Sequence, residues 1–240
     1  MNQTDRPTRT EDAARRRTLY GRRKGKRLRP GQQEMLDEAL PRLSIAAPAE
    51  GESFDPRGLF PGKRAVWLEI GFGAGEHLIW QAQHNPEVGI IGCEPFINGL
   101  ARALTAAVQA GLTNLRFLQD DARLLLRALP EKSLGRAFIL FPDPWPKLRH
   151  HKRRLVATPT LDQLARTMVD GAELRLATDD ASYLPWMVEH ATRHPAFEWL
   201  AEGPADWRQR PGDWPPTRYE QKALREGRRP AYLRLVRRPR

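Results

Sequence analysis

Short apolar runs and amphipathic stretches alternate along most of this chain. Six runs have the length of a strand: RAVWLEI, VGIIGCE, NLRFLQ, LGRAFILF, AELRLAT and AYLRLVRR. Each of the first five is followed by a stretch with helical spacing, in the order EHLIWQAQ, FINGLARALTAAVQAG, ARLLLRAL, residues 158–169 and ASYLPWMVEHATR. Such alternation is typical of βαβ units. We therefore predict an α/β fold with a mostly parallel sheet and helices on both of its faces.

The first part of the chain does not follow this alternation. Residues 1–30 contain few large apolar side chains, so most of this segment is predicted to stay mobile until an anionic partner orders it. A short helical pattern in GQQEMLDEALPRL is predicted to end at Pro41, and a connector rich in Pro and Gly follows it. The pattern thus divides the chain into a partly flexible basic arm with connector, residues 1–62, and one core domain, residues 63–240.

Charge is distributed unevenly along the 240 residues, in which 40 Lys and Arg against 29 Asp and Glu give a net +11. Residues 1–30 hold 11 cations and 3 acids, residues 147–154 hold 5 cations, and residues 205–240 hold 11 cations and 4 acids. Together these segments carry +20, which leaves −9 on the rest. An acidic body with three basic patches suits a polyanion bound over a defined surface, so we predict a nucleic acid partner. The alternative is that the cationic runs are solvated faces or tails.

Composition also disfavours several classes of protein and site. No apolar run approaches the roughly 18 residues that a membrane helix needs, so no membrane association is expected. The first 17 residues, MNQTDRPTRTEDAARRR, lack the apolar stretch of a secretory signal, and we expect a cytoplasmic protein. With Cys93 as its one cysteine the chain has no intrachain disulfide and no cysteine-cluster metal site. The six histidines show no convergent spacing with acids, so no metal is expected.

A glycine-rich segment, LEIGFGAGE, follows the first strand of the predicted core and leads into a helix. Gly71, Gly73 and Gly75 let the backbone approach a ligand closely. A dinucleotide-binding G-x-G-x-x-G loop would have its third glycine where this chain has Glu76, and a carboxylate there would repel a pyrophosphate. With Glu69 beside it, the loop suits a ligand with an ammonium, a sulfonium and no phosphate, such as S-adenosylmethionine. By themselves, the glycines are also compatible with an ordinary strand-to-helix turn.

Two further acids follow the next two predicted strands. Glu94 ends the second strand 21 residues after Gly73, close to the roughly 20-residue spacing at which an acid accepts hydrogen bonds from ribose hydroxyls. Asp121 follows the third strand, where its side chain or neighbouring backbone could meet an adenine amino group. Because Asp120 and Asp121 stand ahead of an apolar run, one of them is also expected to cap a helix.

The segment FPDPWPKLRHHKRR, residues 141–154, places one acid directly ahead of the densest cationic run of the chain. Asp143 comes just after the fourth strand, and the prolines on either side restrict the backbone and oppose helix formation. Trp145 offers a stacking face for a flipped purine, and Asp143 is placed to accept hydrogen bonds from a guanine edge. The cations that follow are predicted to hold the adjoining phosphates. The alternative is a proline turn with a solvated basic loop behind it.

Several motifs together resemble one known family. In chain order, LEIGFGAG, GCEPF, DDA, FPDPWPKLRHHKRR, ATDD and PPTRYEQKALREG are similar to segments of the bacterial tRNA (guanine-N7-)-methyltransferases, from about residue 60 to the C-terminus, and LYGRRKGKRLRPGQ is similar to the family's leading segment. The resemblance implies a Rossmann-like class I S-adenosylmethionine-dependent methyltransferase, with a mostly parallel seven-stranded sheet and an antiparallel final strand. It also implies methylation at N7 of guanine 46 in the tRNA variable loop.

The resemblance implies roles for single residues as well. The cofactor positions of the family are matched by Glu69, Glu94, Asp121 and Asp143, which adds to the glycine loop at Gly71 and Gly73, and Asp143 is also matched to the active-site acid. Substrate-binding positions are matched by Lys147, Asp179, Thr217, Arg218, Tyr219 and Glu220. The RNA-contacting run of the family is matched by Arg149, His150, His151, Lys152, Arg153 and Arg154. Arg218 and Tyr219 stand where other members often have lysine and phenylalanine, which keeps a charge and a ring at these positions.

Guanine N7 already carries a free lone pair, so its methylation needs no strong general base. The expected contributions of the protein are alignment of the reactants and a fixed carboxylate, Asp143, near the purine that becomes cationic. Three alternatives remain open at this point: a nucleotide-dependent oxidoreductase, which Glu76 and the basic surface disfavour, a non-catalytic RNA-binding protein built on a methyltransferase core, and a methyltransferase that acts on another RNA guanine.

Overall fold

The structure, a computed structural model, describes residues 20–240, so the prediction that the arm is mobile falls largely outside the described chain. Within that range seven strands form one sheet: β1 (Ala65–Ile70), β2 (Val88–Cys93), β3 (Leu115–Leu118), β4 (Leu134–Leu140), β5 (Met168–Thr178), β6 (Phe197–Trp199) and β7 (Ala231–Arg237). The helices of the described range are α1 (Pro30–Leu43), α2 (Glu76–His84), α3 (Ile97–Gln109), α4 (Ala122–Ala128), α5 (Thr158–Thr167), α6 (Tyr183–Arg193), α7 (Ala205–Arg208) and α8 (Arg218–Arg225). Two short 3-10 turns span Pro56–Leu59 and Leu148–Arg153.

The strand order in the sheet is β3-β2-β1-β4-β5-β7-β6. Strands β1 to β5 pair in parallel, and β7 pairs antiparallel with both β5 and β6. Parallel neighbours need crossover connections, and helices α2 to α5 supply them. The predicted mostly parallel sheet with an antiparallel final strand is confirmed.

Two apolar clusters cover the two faces of the sheet. Successive side chains of a strand point to opposite faces, and accordingly Trp67 and Leu68 belong to different clusters, as do Ile90 and Ile91. Helices α4, α5 and α6 pack on one face, and α1, α2 and α3 pack on the other. Burial on both faces explains why the strands read as nearly continuous apolar runs in the sequence.

Three local features differ from the sequence pattern. Helix α1 continues through Pro41 to Leu43, because a proline in the last turn removes a single backbone hydrogen bond while Leu36 and Ala39 remain buried against the core. Strand β6 has only three residues, which is too short to show a periodicity. Helix α8 is mostly polar and was not predicted, since its sequence carries few apolar residues.

The described part of the basic arm packs on the start of α3. The Ile97 amide donates to the Arg23 carbonyl at 3.0 Å, and the Asn98 side chain accepts from the Gly25 amide at 2.8 Å and donates to the Lys26 carbonyl at 2.7 Å. A side chain at Gly25 would collide with the Phe96 ring, since its Cβ would lie 2.8 Å from that ring. The last residues of the arm are thereby held at the edge of the sheet where β1, β2 and β4 end.

Candidate active site

A cavity of about 510 Å³ lies at the carboxyl ends of β1, β2 and β4. This is the edge at which open parallel sheets bind ligands. The acids of its lining are Glu69, Glu76, Glu94, Asp120, Asp121 and Asp143, and the cations are Arg22, Arg123 and Arg153. The volume is that of a site for one cofactor-sized ligand, and the excess of carboxylates favours a ligand with positive charge.

The glycine loop between β1 and α2 adopts a conformation that requires glycine. Gly71, Gly73 and Gly75 have φ angles of 76°, 58° and 86°, in the left-handed region. At Gly75 a Cβ would also lie 2.6 Å from the Cβ of Ala103 on α3. The loop is therefore packed tightly on α3, and the backbone of residues 71–73 forms part of the cavity wall.

Glu94 joins the glycine loop to the loop that follows β2. Its Oε2 accepts a hydrogen bond from the Gly73 amide at 2.8 Å, and its Oε1 accepts from the Phe96 amide at 2.9 Å. Burial raises the pKa of the Glu94 carboxyl above its usual value, the two amide hydrogen bonds oppose this shift, and the negative charges of Asp143 and Glu69 add to it. The carboxylate is thus held rigidly, and each oxygen keeps a lone pair for a ligand.

Glu69, near the end of β1, is buried beneath the loop and contacts a histidine. The Nδ1 atom of His77 on α2 lies 2.7 Å from Glu69 Oε2. His77 also lines the cavity, but the sequence patterns did not single it out. The two residues are eight positions apart, across a strand, a loop and the first turn of a helix, so no periodic signal connects them.

Asp121 caps α4, which resolves the choice between the two adjacent aspartates. Its Oδ1 accepts from the Arg123 amide at 3.0 Å, and its two oxygens also receive the Arg123 guanidinium at 2.6–3.0 Å. Asp120 lies 3.7 Å from a guanidinium nitrogen of Arg23 in the arm. The Asp121 carboxylate is therefore largely occupied within the protein, and the backbone around it forms the cavity wall.

Asp143 is exposed and stands between two residues in unusual conformations. Phe141 and Trp145 have φ angles of 51° and 46°, which are uncommon for residues with a side chain. Among the described residues none donates a hydrogen bond to the Asp143 carboxylate or forms an ion pair with it. The turn thus presents a free carboxylate on a constrained backbone at the cavity.

Arg154 is buried and stabilises the turn that carries Asp143. Its Nε donates to the Pro144 carbonyl at 2.8 Å, its Nη2 donates to the Ser182 hydroxyl at 3.0 Å, and its guanidinium lies over the rings of Tyr183 and Trp186. The role of phosphate contact implied for Arg154 is therefore at odds with its burial. Its contacts are those of a residue that fixes the position of the Asp143 turn.

A cationic aromatic cluster borders the cavity beside Asp143. The Arg153 guanidinium lies 4.9 Å from the ring centroids of both Tyr20 and Trp145. It therefore covers one face of the Trp145 ring, the feature proposed from the sequence as a stacking surface. The Nε atom of Arg153 is buried and has no hydrogen-bond partner among the described residues.

The TRYE motif begins α8, and its four residues point in different directions. Thr217 and Glu220 form a reciprocal cap, and the Tyr232 hydroxyl donates to Glu220, so both members of the cap are buried. Arg218 forms an ion pair with Glu76 at the start of α2. The exposed Tyr219 ring lies over the glycine loop. Thr217 and Tyr219 line the cavity, whereas Arg218 and Glu220 do not.

The remaining predicted substrate residues lie outside the cavity lining. They are Lys147, Arg149, His150, His151, Lys152 and Asp179. Asp179 forms an ion pair with Arg228. Desolvation and, after it, the surrounding cations lower the pKa of His150, so this histidine is less readily protonated than an ordinary one. The loop beside the cavity therefore presents its lysines and arginines as the cationic groups.

The three basic segments differ in how many of their charges are neutralised internally. Lys147, Arg149, Lys152 and Arg153 form no ion pair with any described residue. In the C-terminal segment, by contrast, the cations paired with acids are Arg210, Arg218, Lys222, Arg228, Arg234, Arg237, Arg238 and Arg240. The register of β7 on β5 also places the chain end at the opposite edge of the sheet, since Ala231 pairs with Thr178 and Val236 with Glu173. Near the cavity, the 147–153 loop therefore carries cations that have no acidic partner among the described residues, and Arg22 of the arm also lines the cavity.

Known proteins with similar sequences identify the family. The methyltransferase family model Methyltransf_4 matches residues 63–232. A tRNA (guanine-N(7)-)-methyltransferase of Rhodospirillum rubrum is 54% identical over 234 residues, which cover 96% of this chain and 90% of that protein. This chain belongs to the tRNA (guanine-N(7)-)-methyltransferase family. Another member, from Ruegeria sp. (strain TM1040), is 52% identical over 226 residues, 92% of this chain and 88% of the relative. The family resemblance that the motifs indicated is confirmed.

Solved structures support the fold of this methyltransferase. The crystal structure of the 16S rRNA methyltransferase KamB aligns with a TM-score of 0.54 and 18% sequence identity, over 81% of this chain and 99% of that chain. At such low identity the likeness concerns the fold alone. Together with the strand order, it confirms the Rossmann-like class I methyltransferase architecture.

Two features of the described residues concern membranes and metals. In residues 20–240 no helix is both long and apolar enough to span a bilayer. In the same range no group of three or more His, Cys, Asp or Glu side chains is arranged to hold a metal ion. The Glu69–His77 pair is therefore a contact of two side chains beside the cavity, with no third ligand near it.

Proposed function

We propose that this methyltransferase transfers the methyl group of S-adenosylmethionine to N7 of a guanine in tRNA, and that this guanine is position 46 of the variable loop. The observation that carries the proposal is the free Asp143 carboxylate, held between two left-handed residues at the rim of the acidic cavity. The names and identity of the relatives support the reaction and the tRNA substrate, and the motif resemblance supports the position of the guanine. A tRNA substrate supports the cytoplasm as the site of action.

The cavity residues fit S-adenosylmethionine better than a dinucleotide. Glu94 offers both carboxylate oxygens to the two ribose hydroxyls, and Glu69 offers a buried negative charge to the ammonium group. Glu76 in the first turn of α2 would repel a phosphate at the helix N-terminus. This arrangement argues against the nucleotide-dependent oxidoreductase, which needs a phosphate site at this position.

We assign the contact with the adenine amino group to the backbone next to Asp121. The Asp121 side chain is occupied by the α4 cap and by Arg123, so it serves to fix the loop. Ala122, the next residue, lines the cavity. Its neighbouring backbone is therefore the better partner for the adenine amino group.

When bound, S-adenosylmethionine supplies a methyl group on a positively charged sulfur. The protein does not need to remove a proton from guanine N7, which already carries a lone pair. Asp143 accepts hydrogen bonds from the N1 and N2 donors of guanine, so its rigid turn orients the base and stabilises the positive charge that the ring gains. Arg153 lies beside it as a donor for the guanine O6 or an adjoining phosphate. Thr217 and Tyr219 also line the cavity.

Methyl transfer from labelled S-adenosylmethionine to unmodified tRNA transcripts, followed by nucleoside analysis, tests the proposal. Label in 7-methylguanosine from the variable loop is the expected result. Label at another guanine would support the alternative methyltransferase, and tRNA binding without any label would support the non-catalytic alternative. A thermal shift with NAD and none with S-adenosylhomocysteine would support the oxidoreductase.

Removal of one loop charge is expected to reduce the salt dependence of tRNA binding. Each phosphate neutralised contributes about 0.7–0.9 to the slope of log K against log salt concentration. Lys152→Ala should lower the slope by that amount, because Lys152 is exposed and has no acidic partner among the described residues. The matched variant Arg238→Ala removes one charge at the opposite edge of the sheet, where Arg238 pairs with Glu198, and should leave the slope unchanged. Equal slopes for both variants would contradict the assigned surface.

Affinity for S-adenosylhomocysteine is expected to decrease on acidification. The decrease should begin at a higher pH than it would if Glu94 had the pKa of an ordinary glutamate. Ribose hydroxyls donate to the ionised Glu94, so binding favours the charged form, and burial raises the pKa of Glu94 in the free protein above its usual 4.5. Affinity is therefore constant above this raised pKa and declines below it. Calorimetric titrations across the acid range measure the decline. In Glu94→Gln, affinity should be lower at neutral pH and this decline should disappear; an unchanged decline would assign it to another group.

A further inference from the structure

A chain of buried polar side chains extends from Glu69 at the cavity into the protein. His77 Nδ1 lies 2.7 Å from Glu69 Oε2, and the Gln81 side-chain nitrogen lies 3.1 Å from His77 Nε2. The same nitrogen of Gln81 donates to the Asp213 carbonyl at 2.8 Å. Glu69, His77 and Gln81 have exposed fractions of 2%, 2% and 1%. Because these side chains are almost completely buried, their geometry is determined mainly by the partners within the protein.

From Gln81 to His77 and from His77 to Glu69, the hydrogen bonds of the chain run toward the cavity. Gln81 Nε2 has two protons, of which one goes to the Asp213 carbonyl and the other to His77 Nε2. The Gln81 Oε1 accepts from Asn85 Nδ2 at 3.1 Å, which fixes the orientation of the amide. His77 Nε2 is therefore an acceptor, and Nδ1 is the nitrogen that donates to Glu69 Oε2.

The middle of the chain, at His77, and its far end, at Asp213, are held in place. Phe138 and Trp214 contact the His77 ring edge-to-face, with centroids at 4.8 Å and 5.2 Å. Asp213, whose carbonyl holds Gln81, receives the Arg175 guanidinium on both carboxylate oxygens at 2.9 Å and 2.7 Å. The histidine ring has no room to turn, so it holds Glu69 Oε2 in one direction. Glu69 Oε1 accepts no hydrogen bond from a described residue, and Glu69 lines the cavity.

We propose that His77 is a positioning residue for the cofactor: it orients Glu69 so that Glu69 Oε1 meets the ammonium group. This inference rests on the proposed function, in which Glu69 binds S-adenosylmethionine. It adds a role for α2 that the glycine loop does not provide. Supporting groups of this kind orient the side chains that touch a ligand, and their loss in metal sites costs about 10- to 100-fold in affinity.

Two variants of His77 separate the positioning role from a general packing role. The side-chain nitrogen of asparagine occupies the place of His Nδ1, and the side-chain oxygen of glutamine can occupy the place of His Nε2 and accept from Gln81. His77→Asn therefore keeps the donor to Glu69, whereas His77→Gln keeps only the contact with Gln81. We expect His77→Asn to bind S-adenosylhomocysteine within about threefold of wild type, and His77→Gln to bind about 10- to 100-fold more weakly.

The measurements are calorimetric affinity for S-adenosylhomocysteine, KM for S-adenosylmethionine, kcat at saturation, tRNA affinity and the thermal midpoint. For His77→Gln, KM should rise while kcat and tRNA affinity stay close to wild type. Gln81→Met removes the donor to His77 and leaves the histidine in place. This variant should also lower the affinity for S-adenosylhomocysteine. If His77→Asn and His77→Gln bind S-adenosylhomocysteine equally well, the positioning role is wrong. It is also wrong if both bind equally poorly and both have lowered thermal midpoints. A wild-type protein that fails to bind S-adenosylhomocysteine would instead overturn the proposed function.

Discussion

Asp143→Asn is expected to lower the turnover number for methyl transfer by about 10²- to 10³-fold, which is the usual cost of removing one group that stabilises charge in a transition state. The variant keeps the size of the side chain and removes the negative charge beside a purine that becomes cationic. Affinity for tRNA should stay within about twofold, because most of the binding free energy comes from phosphate contacts. Asp143→Ala should act in the same direction. Single-turnover methylation at saturating cofactor, with tRNA affinity measured in parallel, tests the expectation.

Asp37→Asn provides the matched control. Asp37 is exposed on α1, lies outside the cavity lining and loses the same charge, so its variant should methylate tRNA at the wild-type rate. If Asp143→Asn reduces turnover and tRNA affinity by the same factor, the carboxylate serves binding alone and its proposed catalytic role is wrong. The thermal midpoint should change little for Asp143→Asn, since no described residue donates a hydrogen bond to the Asp143 carboxylate. It should also change little for Asp37→Asn, since Asp37 is exposed and the asparagine oxygen can still accept from Gln33 Nε2.

Arg154→Lys is expected to reduce turnover about 10- to 100-fold and to lower the thermal midpoint as well. Lysine keeps the charge but replaces the fork of Nε and Nη2, which reach the Pro144 carbonyl and the Ser182 hydroxyl separately, by a single nitrogen on a flexible stem, and each hydrogen bond from a charged group contributes about 1.5–3 kcal/mol. Without this brace the turn that carries Asp143 would shift, and small displacements of a reacting group cost large factors in rate. Turnover and thermal unfolding of the same preparation measure both effects.

Arg153→Lys, at the adjacent position, distinguishes this role from a phosphate contact. Arg153 lies at the cavity with its guanidinium on Tyr20 and Trp145, so its variant should lower activity on tRNA while the thermal midpoint stays close to wild type. Suppose that Arg154→Lys instead leaves the thermal midpoint unchanged and lowers the salt dependence of tRNA binding. Arg154 would then contact phosphate, as the family resemblance implied, and the bracing role would be refuted.

Much of the fold could be predicted because its signals are local. A strand such as VGIIGC is buried on both faces, so it reads as a continuous apolar run wherever it lies in the sheet. The glycine loop could be recognised because left-handed φ angles at residues 71, 73 and 75 require glycine. Strand β6 and helix α8 could not be predicted, because three residues show no period and the α8 sequence offers few apolar positions.

Within the site, the residues after each strand were predictable and their partners were not. Glu94 was predicted to contact a ligand from its distance to Gly73 along the chain, but its bonds to the amides of both loops depend on the packing of α3 against the glycine loop. The charge count treated three basic segments alike. Only the antiparallel register of β7 shows that the end of the third segment lies away from the cavity, where acids neutralise it.

The sequence by itself determined the order of the strands along the chain, the glycine loop and the acid at the end of each strand, because each depends on the conformation of a few adjacent residues. The tertiary structure alone decided which of these groups are free to meet a ligand. Asp143 remains free, Asp121 is occupied by its helix cap, Arg154 is buried beneath the turn, and Glu69 is tied to His77. These differences arise because hydrogen-bond partners distant in sequence compete with a ligand for the same polar atoms, and only the packed fold brings those partners together.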